Sequence, residues 1–173
     1  FALTGLLIDM IVRTPGSRVV TVASTLHRVG EIDFDDLHCD EKAYRGQSAY
    51  GQSKLANLLF TYELQRKLEA EGMETLSVAA HPGWTETNLQ QHSGTFSFLN
   101  RFLAQDTPMG ALPTLYAATG PDVQGGDYYG PNGFMESRGH PKKVNSNERS
   151  QDQAVSEQLW QVSEELTGVI YDL

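Results

Sequence analysis

Tyr50 and Lys54 stand four residues apart in the stretch Ser48-Ala49-Tyr50-Gly51-Gln52-Ser53-Lys54-Leu55-Ala56-Asn57. On a helix, that spacing puts both side chains on one face, one above the other. An ammonium is then held beside a phenol. A lone phenol titrates near ~10 and is a poor proton donor or acceptor at neutral pH, but a fixed positive charge favours the phenolate. Such a pair has the chemistry of a general acid/base. Taken alone, it is more simply read as an exposed Tyr and Lys on a solvated helix face, because Tyr-x-x-x-Lys matches also arise by chance. Its weight depends on the elements that position it.

The first of these is its own helix. Leu55, Leu58, Leu59 and Tyr62 follow the i, i+3, i+4, i+7 spacing of one buried face, and the spacing predicts a helix from Gln47 to Glu71, stopped at Gly72. Upstream, Leu3, Leu6, Leu7, Met10 and Ile11 predict a helix over Phe1 to Arg13, closed by Pro15-Gly16. Arg18 to Val22 is β-branched and apolar on successive residues, as expected of a parallel strand covered on both faces, and Ala23-Ser24-Thr25 follows its C-terminal end. A polar, acidic loop leads to Gln47. Leu76 to Ala80 is a second apolar strand, and His81-Pro82-Gly83 opens a long loop holding Trp84, Thr85, Thr87, His92, Phe96, Phe98 and Phe102.

Thr107-Pro108 reads as an N-cap followed by Pro in the first turn of a helix reaching about Ala118. A short strand is expected around Tyr128-Tyr129, then a surface loop from Gly130 to Ser150 rich in Gly, Pro and Asn. A last helix, Gln151 to Leu166, is expected to turn Ala154, Leu159, Val162 and Leu166 inward. Strands alternating with helices give an α/β protein with a parallel sheet. In such sheets ligands sit outside the carboxyl ends of the strands. Ser24 and Pro82-Gly83 both fall at strand carboxyl ends, and the Tyr50 helix follows the first of these strands. Individually, Ser24 could cap a turn and Pro82-Gly83 could be an ordinary turn. Their convergence on one rim is what raises the acid/base reading.

Composition narrows the function classes. The 173 residues are enough for one domain with a real core. A net charge of −9 argues against nucleic acid and anionic membrane as partners. The single cysteine, Cys39, cannot close an internal disulfide, which places the chain in a reducing compartment, the cytoplasm. Cys39 and His38 lie in the acidic run Asp33 to Asp40, but too few soft ligands accompany them, so no metal site is expected. Phe1 to Val12 is too short, and too interrupted by Thr4, Gly5 and Asp9, to span a membrane, and it lacks the basic leader of a signal peptide.

Three motifs in order, Arg18-Val-Val-Thr-Val-Ala-Ser24, Tyr50-x-x-x-Lys54 and Pro82-Gly-x-x-x-Thr87, resemble the short-chain dehydrogenase/reductases. The fuller strings Ala49-Tyr-Gly-Gln-Ser-Lys-Leu-Ala-Asn-Leu-Leu-Phe60 and His81-Pro-Gly83 resemble the retinol dehydrogenase and protochlorophyllide reductase-like branch. The resemblance covers essentially the whole chain. It implies a Rossmann-type, doubly wound parallel sheet and hydride transfer between a nicotinamide cofactor and an alcohol or carbonyl. NADP is slightly favoured over NAD by resemblance alone, since the residues that usually decide are not present. Tyr50 would exchange the substrate's hydroxyl proton. Lys54 would favour the phenolate and bond the nicotinamide ribose. Ser24 would hold the substrate oxygen. Pro82, Gly83 and Trp84 would meet the nicotinamide carboxamide, with Thr87 reaching carboxamide or phosphate. Trp84, Thr85 and the loop to Phe102 would close over the substrate, whose apolar character the loop's aromatics indicate. A homodimer or homotetramer is the family-level expectation.

The sequence departs from the family pattern in one respect. No Gly-x-Gly-x-x-Gly occurs, and the family's Asn-Ala-Gly element and helical catalytic Asn are also not found. Residues 1–173 are therefore expected to form a single, incomplete domain, the C-terminal part of the family fold, with the cofactor's adenosine half outside this sequence and a bare edge on the first strand. The alternative expectation is an inactive piece that serves as a binding or assembly module.

Overall fold

The computed structural model describes residues 1–84 and 105–173. Helix α1 (Ala2–Val12) leads into strand β1 (Arg18–Val22), and a 3-10 turn (Thr25–Val29) follows. Helix α2 (Gly46–Ala70) carries the chain to β2 (Leu76–Ala80). Then come α3 (Thr107–Thr119), β3 (Tyr128–Pro131), β4 (Pro141–Lys143) and α4 (Gln153–Thr167). The strands lie in the order β1-β2-β3-β4. β1, β2 and β3 are parallel, with Val22 beside Ala80 and Ala80 beside Tyr129. β4 runs antiparallel to β3.

Helix α2 is the spine of the molecule. Its Leu58 and Tyr62 rest on Ala23, Ala79 and Tyr128 of the sheet. One to two turns on, Leu64 and Leu68 meet Ile8 of α1, Trp160 of α4 and Tyr171. The opposite sheet face is covered by α3, where Ala117 packs with Val78, Ala80, Val123 and Tyr129. Helices on both faces of a largely parallel sheet make the fold α/β. Fully burying a leucine is worth about 1.5–3 kcal/mol, so the leucines of α2 anchor the helix that carries Tyr50 and Lys54.

Several expectations need correction. The sheet is mixed, because β4 lies within the stretch read as a surface loop; Pro-Lys-Lys has no apolar signal and pairs through its backbone. Strand β1 is covered on both faces, Val19 packing with Ile8 and Leu64 on one and Val20 with Val78 and Ala117 on the other, but it is only half-buried, with Val22 exposed, because among the described residues β2 alone pairs with it. Helix α3 is capped by Asp106 rather than Thr107, the Asp106 carboxylate accepting the Met109 N–H at 3.1 Å. Helix α4 is anchored by Trp160 and Ser156, while Ala154 and Leu166 face solvent. Gly72 does end α2, with φ +66°.

Candidate active site

The carboxyl end of β1 and the first turns of α2 are tied at one atom. The Val22 carbonyl accepts the Lys54 ammonium at 3.2 Å and the Asn57 amide at 3.0 Å. Lys54 Nζ stands 5.4 Å from the centre of the Tyr50 ring. Burial holds the Lys54 pKa below the ordinary lysine value. Tyr50 itself is 41% exposed, so solvent and small molecules reach it. Both residues sit on α2, whose backbone fixes their offset, and Ser53 Oγ donates to the Tyr50 carbonyl at 2.7 Å.

Ser24 follows β1 in extended backbone and caps the 3-10 turn, its Oγ accepting the Leu26 N–H at 3.3 Å. Its hydroxyl proton is left to donate elsewhere. This turn presses on α2 so closely that a Cβ on Gly30 would lie 2.3 Å from the Gly51 carbonyl oxygen.

The second loop leaves the neighbouring strand at the same end. Ala23 N–H donates to the Ala80 carbonyl at 2.8 Å, so the Ser24 and Pro82 loops start side by side. Gly83 takes φ +68°, and a Cβ there would meet the Ser137 carbonyl oxygen at 2.4 Å. Trp84 N–H donates to that oxygen at 2.7 Å, and the Gln105 amide donates to the Pro82 carbonyl at 2.7 Å. The backbone from Pro82 to Trp84 is thus fixed from two sides. Thr85 and Thr87 lie outside the described residues, as do His92 and the aromatics Phe96, Phe98 and Phe102.

Sequence reasoning missed several polar residues here. Asn57 shares Lys54's carbonyl and sits three residues after it on α2, a spacing visible in the sequence. His27, Tyr128 and Glu136 are brought together only by the sheet, and no local signal marks them. His81 is buried at 1% exposure, and burial takes its pKa down to about 4 against the opposing pull of Glu136. Glu136 bonds both His81 Nε2 at 3.1 Å and Arg28 at 2.9 Å. Among the described residues no cluster of His, Cys, Asp and Glu is placed to hold a metal ion, and no helix is long and apolar enough to cross a membrane.

No family model matches the chain. Individual proteins do. Retinol dehydrogenase 14 of Mus musculus is 36% identical over 98% of this chain and 50% of its own length. Polyprenol dehydrogenase of Homo sapiens is 38% identical over 98% of this chain and 52% of its own. A crystal structure of an uncharacterised protein from Mycobacterium paratuberculosis superposes with a TM-score of 0.77 at 38% identity, covering 99% of this chain and 56% of that one. The chain thus spans about half the length of the curated relatives it matches. By this similarity along nearly all of its residues, it belongs to the short-chain dehydrogenase/reductase family, alongside the retinol and polyprenol dehydrogenases.

Proposed function

We propose that Tyr50, Lys54 and Ser24 are the acid/base centre of an oxidoreductase that moves a hydride between NAD(P)(H) and an alcohol or carbonyl. The observation that carries this reading is the Lys54 ammonium, anchored on the last carbonyl of β1 while it faces the Tyr50 ring. Phenol and cation are held on one rigid helix, beside the loop that carries Ser24.

The donor set fits the nicotinamide end of such a cofactor. Lys54 spends one N–H on Val22 and has two more for ribose hydroxyls. The Pro82–Trp84 backbone, fixed beside it, would meet the carboxamide, with Thr87 beyond it. A bound nicotinamide supplies or accepts the hydride. In the oxidation direction Tyr50, as phenolate, takes the hydroxyl proton while the substrate carbon gives up its hydride. In reduction its hydroxyl returns that proton to the carbonyl oxygen. Lys54 keeps a positive charge beside the phenol throughout. Ser24 donates its free O–H to the substrate oxygen and holds it at Tyr50. The substrate class is an apolar alcohol or its carbonyl, in keeping with the relatives named for retinol and polyprenol. NADP ranks ahead of NAD, Trp84 and Thr85 would line the substrate side, and a homodimer or homotetramer is the assembly.

Tyr50→Phe in the full-length protein tests this. Turnover should fall by about 10²–10⁴, the range for a lost general acid/base, while nicotinamide binding persists in a fluorescence titration. Substantial turnover in that variant would sink the reading.

A further inference from the structure

Two imidazoles that the proposed reaction does not use lie under the two site loops. His27, fully buried at 0% exposure, has Nδ1 2.6 Å from the Ser24 carbonyl oxygen. A carbonyl only accepts, so that nitrogen carries the proton. His81 has Nδ1 3.2 Å from the Gly83 backbone N. A backbone N–H only donates, so here Nδ1 is the bare lone pair, and Nε2–H faces the Glu136 carboxylate at 3.1 Å. The two rings therefore hold opposite tautomers. Each fastens the backbone of one loop.

Tyr128 joins them. Its ring centre lies 5.8 Å from that of His27 and 5.2 Å from that of His81. Among the described residues, His27 Nε2 and the Tyr128 hydroxyl are the buried side-chain polar atoms without a hydrogen-bond partner. They are complementary. With Nδ1 protonated, His27 Nε2 is an acceptor, and the Tyr128 hydroxyl is a donor on a neighbouring ring. Unmet buried polar groups are costly, and a single water between these rings would satisfy both atoms at once. On the far side, Met135 and Glu136 take left-handed backbone at φ +51° and +54°, and Arg28 and His81 hold the Glu136 carboxylate there.

We propose that His27 and His81 are positioning residues: neutral imidazoles of opposite tautomer, linked through Tyr128, that hold the Ser24 carbonyl and the Gly83 amide at a fixed spacing. The substrate-side hydroxyl and the loop beside the nicotinamide then keep one geometry through the catalytic cycle. This rests on the reading of Ser24 and Pro82–Trp84 given above.

The first test needs no variant. In the full-length protein at pH 7, imidazole ¹⁵N NMR should show Nδ1–H for His27 and Nε2–H for His81. The same tautomer on both rings, or a charged ring, overturns the proposal. The second test reads catalysis. His27→Phe keeps bulk and removes the donor, and kcat should fall about tenfold or more with the cofactor KM changed less than about twofold. His27→Asn places an amide N–H where Nδ1 stood and should restore most of that loss. In a Ser24→Ala background, His27→Phe should cost less than about twofold, because the residue acts through Ser24. Equal losses in both backgrounds, or no rescue by Asn, overturn the proposal. If His27→Phe does not fold, the tautomers and the Asn variant still decide. If Ser24→Ala and Tyr50→Phe retain full activity, the parent reading has failed, and the proposal falls with it. That result is distinct from a Ser24 effect without coupling to His27.

Discussion

A carboxylate beside an imidazole usually keeps it protonated, yet His81 goes the other way. Burial at 1% exposure outweighs the Glu136 charge, and the pKa drops to about 4. His27 and Arg28 push in the same direction from the Thr25–Val29 turn, and the Tyr128 ring from β3 adds packing without charge. The unfolded chain, with a histidine near ~6.5, binds more protons than the native one between these values. Stability from the neutral ring is therefore complete above about pH 6.5 and is lost as pH falls toward about 4, up to about 3 kcal/mol. Urea unfolding from pH 7 to 4 should show this slope, and His81→Gln should flatten it. A wild-type slope no steeper than the variant's would refute the assignment. At this scale the sequence was only partly legible. Tyr50 and Lys54 are legible because four residues on a helix are neighbours in space. His27 lies about 100 residues from Tyr128 and Glu136, and nothing local announces their meeting.

Elements were more legible where one signal dominated. Arg18–Val22 and Leu76–Ala80 coincide with their apolar runs, and α2 with its periodic leucines. β4 escaped because Pro141, Lys142 and Lys143 owe their strand to pairing with β3 and not to their own propensity. The contact that sets the Ser24 loop against α2 escaped as well, since it depends on Gly30 having no side chain. Gly30 has φ −71° and ψ 152°, so its backbone would accept alanine. Reducing the freedom of the unfolded chain would then favour Gly30→Ala by about 0.4–1 kcal/mol. Against this, the new Cβ would lie 2.3 Å from the Gly51 carbonyl oxygen, backbone on backbone, with no flexible group to move aside. Overpacking of this kind costs about 1–3 kcal/mol, so the steric effect wins. Gly30→Ala should lower the unfolding midpoint and, by lifting the Ser24 turn off α2, reduce kcat. A stabilised variant with unchanged kcat would show that the turn and helix are not in register as described.

Across the whole molecule, the two edges of the sheet are treated differently. β4 is three residues long and carries Pro141 and two lysines, features that discourage further strand pairing. β1 is the other edge; Arg18 at its start turns onto the Ala117 and Gly120 carbonyls, but Val19, Val20 and Val22 follow with no proline and no further charge. Helix α1 adds Leu3 and Leu6 at 73% exposure and Met10 at 67%. Unpaired parallel-strand backbone beside an exposed apolar helix stripe is a surface that seeks a partner. The 173-residue chain on its own, at a net charge of −9, has some electrostatic repulsion against association, but charge spread over the surface is screened within about 8–10 Å at physiological salt. Contact at the apolar stripe therefore prevails, and the isolated chain should self-associate at micromolar concentration, more so as salt is raised. Replacing Leu6 and Met10 together by Glu puts charge on the stripe without touching the buried Ile8, so folding should be preserved while association weakens. Light scattering after size-exclusion chromatography, with circular dichroism as the folding control, separates the outcomes. A wild-type chain that runs as a monomer at both low and high salt would show that this face is already satisfied within the chain, and that β1 is not an open edge.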